Sequence, residues 1–452
     1  MRIGISVFLL ACCAAGAANA REEVSHDFQK TVPLAPGKSL RVEHSQGSVS
    51  VHTQAKREVA VHASIRCSSG RPQDAHAICD HIQISVAETG AGVSVRTEVP
   101  NLTGSFHNLS WSVDLDIVMP DTAPLELRNQ FGTVSVTDLH APGNIMDSNG
   151  KVSFTGGRGK QRIETSFGDI ELAGNDGDVS IVDTNGRVTV SDVTGELDLR
   201  DNFGDIKTSN VGKRLEIHSG NGNVTVAGVA GVATISDSFG KVTVRDAKSD
   251  VSVQNQNGDV ETAGVAGTAE LRTTFGAVRF TRIGKGTTVH AENSSVTGDT
   301  VDGPVTVDTT FGDIEVHAIK GGARLTGQNA PIRAADVGGE VYAKTTFGGV
   351  TVEDVAQPVT VENQNGSITV RAKPSGKCQP ISLSTTFGPI KVVPPRGAGY
   401  DVAAKTSFGH ISSEAAMTVS GQLGDQSISG KIAGGGCPLK LVDQNGNIEI
   451  VQ

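Results

Sequence analysis

Few residues in this chain are placed to do chemistry. Four cysteines, Cys67, Cys79, Cys378 and Cys437, lie beyond the N-terminal apolar stretch that holds Cys12 and Cys13. An even number of cysteines in an exported chain points to disulfides. Cys67 and Cys79 flank a short polar loop, Ser68-Ser69-Gly70-Arg71-Pro72, and form the obvious pair. Cys378 and Cys437 each precede a strand-like segment ending in the motif described below, but a further copy of that motif lies between them. A bond between these two requires their strands to be neighbours. Zinc is the rival for the thiols and is disfavoured, because neither Cys-x-x-Cys nor a nearby histidine pair is present. The 12 histidines are scattered, and no HExxH or calcium-binding GGxGxD pattern occurs. Asp169, Asp205 and Asp313 recur at one place in a repeat, which reads as turn chemistry. A glycan-cleaving enzyme instead needs a unique carboxylate cluster or an Asp/Arg/Lys constellation in a groove. No catalytic, cofactor-binding or metal-ligating residue is assigned.

What positions all of these residues is a repeat. Phe-Gly occurs at Phe131, Phe167, Phe203, Phe239, Phe275, Phe311 and Phe347, each step being 36 residues. Offset by 18 lies a second series, Asn149, Asn185, Asn221 and Asn257, each followed by Gly, continuing as Asn293-Ser294, Asn329-Ala330 and Asn365-Gly366. Such strict periodicity sets the architecture before any local reading. Each 18 residues divide again into nines, as in Gly186-Arg187-Val188-Thr189-Val190 followed by Gly195-Glu196-Leu197-Asp198-Leu199. Counting the motif Gly as first, apolar residues fall at the third and fifth places, for example Ile170/Leu172, Val179/Ile181, Val224/Val226 and Val350/Val352. Period two within a nine-residue unit predicts a strand of five or six residues and a turn of three. Val and Ile suit its pleated, half-buried surface.

The fold class expected is all-β, a parallel β-solenoid. An 18-residue coil would place two strands on facing sheets about 10 Å apart. A 36-residue coil would put every Phe in one ladder and every Asn in another, which accounts better for their alternation. It would also leave a hollow that Val cannot fill, so the 18-residue coil is favoured. Phe is expected to plug a corner of the coil, Asn to bond turn backbone, and Gly to allow a turn conformation closed to other residues. An aromatic binding ladder is the alternative for Phe. The outward residue between the two interior positions varies among Ser153, Glu171, Thr189, Lys207 and Arg279. That mixture excludes a regular ice-binding Thr lattice and reads as a solvated face.

Residues 1–20 read as a secretory signal peptide: Arg2, an apolar run from Ile3, then Ala18-Asn19-Ala20 before Arg21. Leu10-Ala11-Cys12 offers a short lipobox as the alternative, with Cys12 lipidated. Nothing else approaches the ~20 apolar residues of a membrane span. Residues 21–130 are expected to form an N-terminal β region capping the solenoid, because an open end exposes strand edges. Residues 131–372 form the regular array, and 373–452 irregular C-terminal repeats and a cap. There Phe387-Gly388 follows 40 residues after Phe347-Gly348, and Phe408-Gly409 only 21 later. Ala415 to Gly436 breaks the register and is expected to be a long loop or end cap.

The Thr-Thr/Ser-Phe-Gly-Asp-Ile form at Thr165 to Ile170 and Thr309 to Ile314 resembles the DUF4097 family of bacterial proteins, which carry the label "putative adhesin". Val118-Met119-Pro120 before Leu125, Val392-Val393-Pro394-Pro395, and Asp443 to Ile448 share in that resemblance. It implies a β-solenoid with no established chemistry and no catalytic residues to carry over. With 55 glycines, 4% aromatic residues, a single tryptophan (Trp111) and a formal charge of −10, the chain is unsuited to nucleic acid or an anionic membrane. The expectation is an exported, non-catalytic scaffold or adhesin-like protein in the periplasm or at the cell surface. It would bind an envelope protein or glycan through a repetitive face. A glycan-active lyase or hydrolase is the alternative.

Overall fold

The computed structural model describes residues 22–100, 108–374, 377–420 and 424–452. The signal segment, Ala18-Asn19-Ala20 and Cys12 lie outside the described residues. The chain divides into two compact units, Met1–Val136 and Thr137–Gln452.

In the first unit, strand Glu58–Ser69 runs antiparallel to Glu22–Pro33 on one side and to Ser110–Pro120 on the other. Ser39–Glu43 lies parallel between Gly92–Glu98 and Leu125–Phe131. The stretch after Cys67 is not merely a loop, because a helix, Pro72–Cys79, closes it. The helix buries Ala75, Ile78 and Cys79, an i, i+3, i+4 face. Two turns are too short for that period to stand out in sequence. Cys79 is disulfide-bonded to Cys67, with Cα atoms 5.8 Å apart.

The second unit is a parallel β-solenoid whose coil is 18 residues. Val179 pairs with Leu197, Leu197 with Leu215, and Leu215 with Ala233, each in register. The opposite sheet advances identically, from Val188 to Ile206 to Val224. The 36-residue sequence period is therefore two coils. The two strands of a coil are unequal. From Val179 to Val355 one sheet uses seven residues, as in Leu197–Phe203, and the other six, as in Ile206–Val211.

Both carry the buried pairs expected at alternate positions, and each also holds a third inward residue that period two alone did not reveal. In the six-residue strand it is the last, Val193, Val211 or Val229, all buried. The residue before it has a left-handed backbone in coil after coil: Asp192 at φ 58°, Asn210 at φ 56°, Gly228 at φ 71°, Asp246 at φ 56°. That conformation shifts the alternation by one and returns the last side chain to the core, a local bulge. In the strand that ends on the Phe or Asn series the third inward residue is polar except at Ala291 and Gly327.

The core is close-packed enough to demand compensation in sequence. Phe280 is 2% exposed, and its partner in the next coil is Gly298. A Cβ there would lie 2.2 Å from the Phe280 ring. Phe154 is likewise buried, against Gly157.

Toward the C-terminus, chain order and spatial order part company. Strand Cys437–Val442 inserts between Ile381–Ser384 and Tyr400–Lys405. Ile448–Ile450 likewise lies between Ile390–Val393 and Ile411–Ser413. Within Ala415–Gly436, expected as a long loop or end cap, Met417–Val419 and Ser427–Ile432 are antiparallel strands. The latter also pairs with Tyr400–Lys405. The insertion brings Cys437 beside Cys378, to which it is bonded with Cα atoms 5.3 Å apart. The repeat that separates them in sequence is displaced outward by one coil.

Candidate functional site

In one sheet of the array, every strand from Gly143–Asn149 to Val359–Asn365 ends on a residue of the Phe or Asn series. The 18-residue coil threads both series into a single edge ladder. Asn149 pairs with Phe167, Asn185 with Phe203, Phe203 with Asn221 and Asn221 with Phe239. Asn257 stands between Phe239 and Phe275, and Asn329 between Phe311 and Phe347. Beyond Asn365 the ladder continues through Phe387 to Asn445. The expectation that Phe plugs a corner is overturned. Phe167, Phe203, Phe239, Phe275, Phe311, Phe347 and Phe387 are 47–56% exposed, and Phe408 is 78% exposed. In the first unit Phe131, which also ends a strand, is half-exposed. The corner just inside the ladder is already filled by the polar third residue of the same strand, which leaves no room for a ring.

That polar residue forms a second, buried ladder: Asp147, Thr165, Asp183, Asp201, Ser219, Asp237, Asn255, Thr273, Thr309, Thr345 and Asn363. At Asn255, Thr309, Thr345 and Asn363 the amide or hydroxyl donates to the carbonyl that follows the ladder residue in the preceding coil. Asn255 Nδ2 reaches the Gly240 oxygen at 2.8 Å, Asn363 Nδ2 that of Gly348 at 2.9 Å, and Thr345 Oγ1 that of Ala330 at 2.9 Å. Four aspartates, Asp147, Asp183, Asp201 and Asp237, replace the donor with a carboxylate. Asp183 accepts from Thr165 Oγ1 and from the Thr184 amide. Asp201, its neighbour in the next coil, accepts from the Phe203 amide at 3.2 Å, and its Oδ2 has no partner. Burial raises the Asp201 carboxyl to about 6, and repulsion from Asp183 adds to the shift. Burial also raises Asp183 and Asp237.

The asparagines and aspartates at the coil turns join coils rather than closing their own turns. Asn221 Nδ2 donates to the Asn202 oxygen at 3.5 Å, and Asn365 Nδ2 to that of Thr346 at 3.4 Å. Asp169 and Asp205 accept the amides of Arg187 and Asn223, each at 2.9 Å and one coil onward. Asp313, after Phe311-Gly312, occupies the equivalent place.

Beside the Phe/Asn ladder, the outer face of the seven-residue strands forms a groove of about 980 Å³ that crosses coils from His218 to Gln328. Its lining is polar and mostly uncharged, including Ser238, Gln254, Gln256, Thr274, Thr310 and Gln328. Its one guanidinium is paired within it, and its remaining charges are carboxylates. Arg272 meets Glu270 at 2.8 Å, and His290 lies 3.6 Å from Asp308. Ser238, Thr274 and Thr310 immediately precede Phe239, Phe275 and Phe311, so the ladder borders the groove. The opposite sheet carries a smaller hollow of about 440 Å³ over buried Phe280 and Thr262, with Arg279 held by Asp259 and Glu261.

In the first unit, His44 is buried and shares a 2.9 Å hydrogen bond with Thr97, and burial lowers its imidazole to about 4. Among the described residues no group of three or more His, Cys, Asp and Glu is placed to hold a metal ion. No helix among them is long and apolar enough to cross a membrane.

A family model described as Toastrack DUF4097 matches residues 210–451, more than half of the chain. No curated protein matches. Among solved structures, one described as a "putative cell adhesion protein" from Clostridium sporogenes ATCC 15579 pairs with 95% of this chain and 100% of its own. It is 8% identical with a TM-score of 0.16, and at that score the pairing supports no shared property.

Proposed function

The chain belongs to the Toastrack DUF4097 family, and from that premise we propose that it is an exported, non-catalytic β-solenoid scaffold that engages an envelope partner through its repeated edge and face. One observation carries this reading: half-exposed Phe rings return at every second coil along one edge of the solenoid unit. Each ring stands apart from the next, so the ladder offers repeated small apolar contacts and not one contiguous patch. A site repeated coil after coil favours many weak contacts, which together can gain ~10²–10⁴ in avidity. The carboxylates with raised titration, Asp183, Asp201 and Asp237, are buried beneath the coil corner, and only Asp237 of the three also lines the groove, which favours a structural role for them. Two disulfides fit the oxidising periplasm or cell surface.

The test is a set of in-phase deletions. Removing Gly204 through Phe239 joins Phe203 to Gly240 and keeps both motif and coil register. Binding to whole envelopes is expected to weaken gradually as successive 36-residue units are removed. Cleavage of envelope glycan by the intact chain, abolished by the loss of one particular unit only, would favour the enzyme instead.

A further inference from the structure

Resting on that reading of a repetitive face, we propose that the ligand is a neutral, extended, β-1,4-linked polysaccharide lying along the coils, one disaccharide to every two coils. The argument begins with spacing. Neighbouring parallel strands lie about 4.8 Å apart, so rings on alternate coils recur every 9–10 Å, roughly. Phe203, Phe239, Phe275, Phe311 and Phe347 occupy alternate rungs of one ladder. In a β-1,4-linked chain each pyranose is turned over relative to the last. The same apolar C–H face therefore returns once per disaccharide, and an extended disaccharide is close in length to two inter-strand steps. A flat aromatic surface at each return can pack against that face.

The rungs between the rings suit the same ligand. Asn221, Asn257 and Asn293 stand where the turned-over sugar would present hydroxyls, and a carboxamide both donates and accepts hydrogen bonds. Continuous Phe would have made an unbroken apolar strip suited to another protein. Alternation with Asn breaks that strip at every coil.

The adjoining groove selects for charge. Its Ser, Thr and Gln side chains offer hydroxyl and amide partners, and its Arg272 and His290 are matched by Glu270 and Asp308. The chain as a whole carries −10. An anionic polymer gains nothing from such a surface, whereas a neutral polyhydroxylated one loses nothing. Linear recognition over many coils also fits the absence of any one rung that departs from the series between Asn185 and Asn365.

The experiment uses the full mature chain, with chitohexaose and cellohexaose as soluble probes and maltohexaose as the α-linked control, measured by calorimetry. Retention on insoluble chitin and cellulose is read in parallel. The triple variant Phe239→Ala, Phe275→Ala, Phe311→Ala removes three rings from the groove border. The triple Phe→Tyr variant at the same positions keeps the flat surfaces and guards against loss of fold. The expected result is binding of at least one β-1,4-linked probe, with maltohexaose at least about tenfold weaker. Phe→Ala should lose about tenfold or more of the matrix retention, and Phe→Tyr should retain it, as linked weak contacts require. Equal binding of α- and β-linked probes, no binding of either, or unchanged binding by the Phe→Ala variant would overturn the proposal. Envelope binding that survives removal of glycan and is lost on protease treatment of the envelope would point to a protein partner. In that case the polysaccharide assignment fails while the scaffold reading stands. Envelope binding unaffected by every in-phase deletion would instead remove the scaffold reading itself.

Discussion

At the scale of the residue, the least expected feature is the buried aspartate. Thr345, Asn255 and Asn363 show what the third inward position does, which is to donate to the carbonyl of the coil before. An ionised Asp201 has no proton to donate, and its Oδ2 has no partner. Burial and then repulsion from Asp183 raise its carboxyl to about 6, and the protonated form regains a donor like that of Thr or Asn. The consequence for stability has a definite sign. The folded state holds a proton that the unfolded chain has released between the ordinary carboxylate range and about 6, so stability from this group falls as pH rises through that window. His44, lowered to about 4, acts oppositely, since there the unfolded chain holds the extra proton and stability rises with pH. The clean measurement is therefore a difference. Asp201→Asn should match the parent below pH 4 and exceed it above pH 6, by on the order of 2 kcal/mol. Hydrogen exchange at coils around residue 201, followed across pH, reads it locally. A difference that stays constant with pH would show that Asp201 titrates normally.

At the scale of the element, the turn after the ladder residue is the most constrained part of a coil. Gly222 has φ 145°, and a Cβ there would lie 1.9 Å from the Gly204 carbonyl oxygen. The constraint comes from stacking, because turns one strand spacing apart leave no room between backbones. Gly37, with φ 75° and nothing within 4 Å of its Cβ, is the comparison. Gly37→Ala should cost only the left-handed conformation, about 1 kcal/mol. Gly222→Ala combines conformation with overpacking and should cost more than about 2 kcal/mol. Its exchange protection should be lost mainly in the coils on either side. Equal costs at the two sites would mean that the stacked turns relax freely.

At the scale of the whole molecule, the true structural period is half the sequence period. Excising one coil, Gly204 through Asn221, joins Phe203 to Gly222 and preserves every inward position. The shortened chain should fold with exchange protection retained in the flanking coils, because each coil contacts only its neighbours. Collapse of protection on both sides of the junction would argue for a 36-residue structural unit. The excision also sets Phe203 directly beside Phe239 on consecutive rungs, so the same variant tests whether the alternation matters for binding while leaving the fold in place.

The sequence by itself determined the fold class. Val and Ile at alternate places, returning with Gly every nine residues, can bury their side chains only as stacked parallel strands, and a void-free core favours the 18-residue coil. The buried pairs such as Ile170/Leu172 and Val224/Val226 were legible for that reason. What only the tertiary structure decided is which face each remaining residue meets. Val193 and Val211 reach the core because Asp192 and Asn210 take a left-handed conformation, and a strict alternation gives no sign of that shift. A partial signal was present as an Asp, Asn or Gly before the last residue of most six-residue strands, but Arg282, Thr300 and Ala318 take the same conformation without it. The Phe series was misplaced because hydrophobicity alone sends a ring inward, whereas the corner beneath it is occupied by Thr, Asn or Asp. Cys378 and Cys437 became neighbours only because the last strands insert out of chain order. Pairing between coils is a property of stacking in space, and the number of residues separating two strands does not constrain it once the chain doubles back.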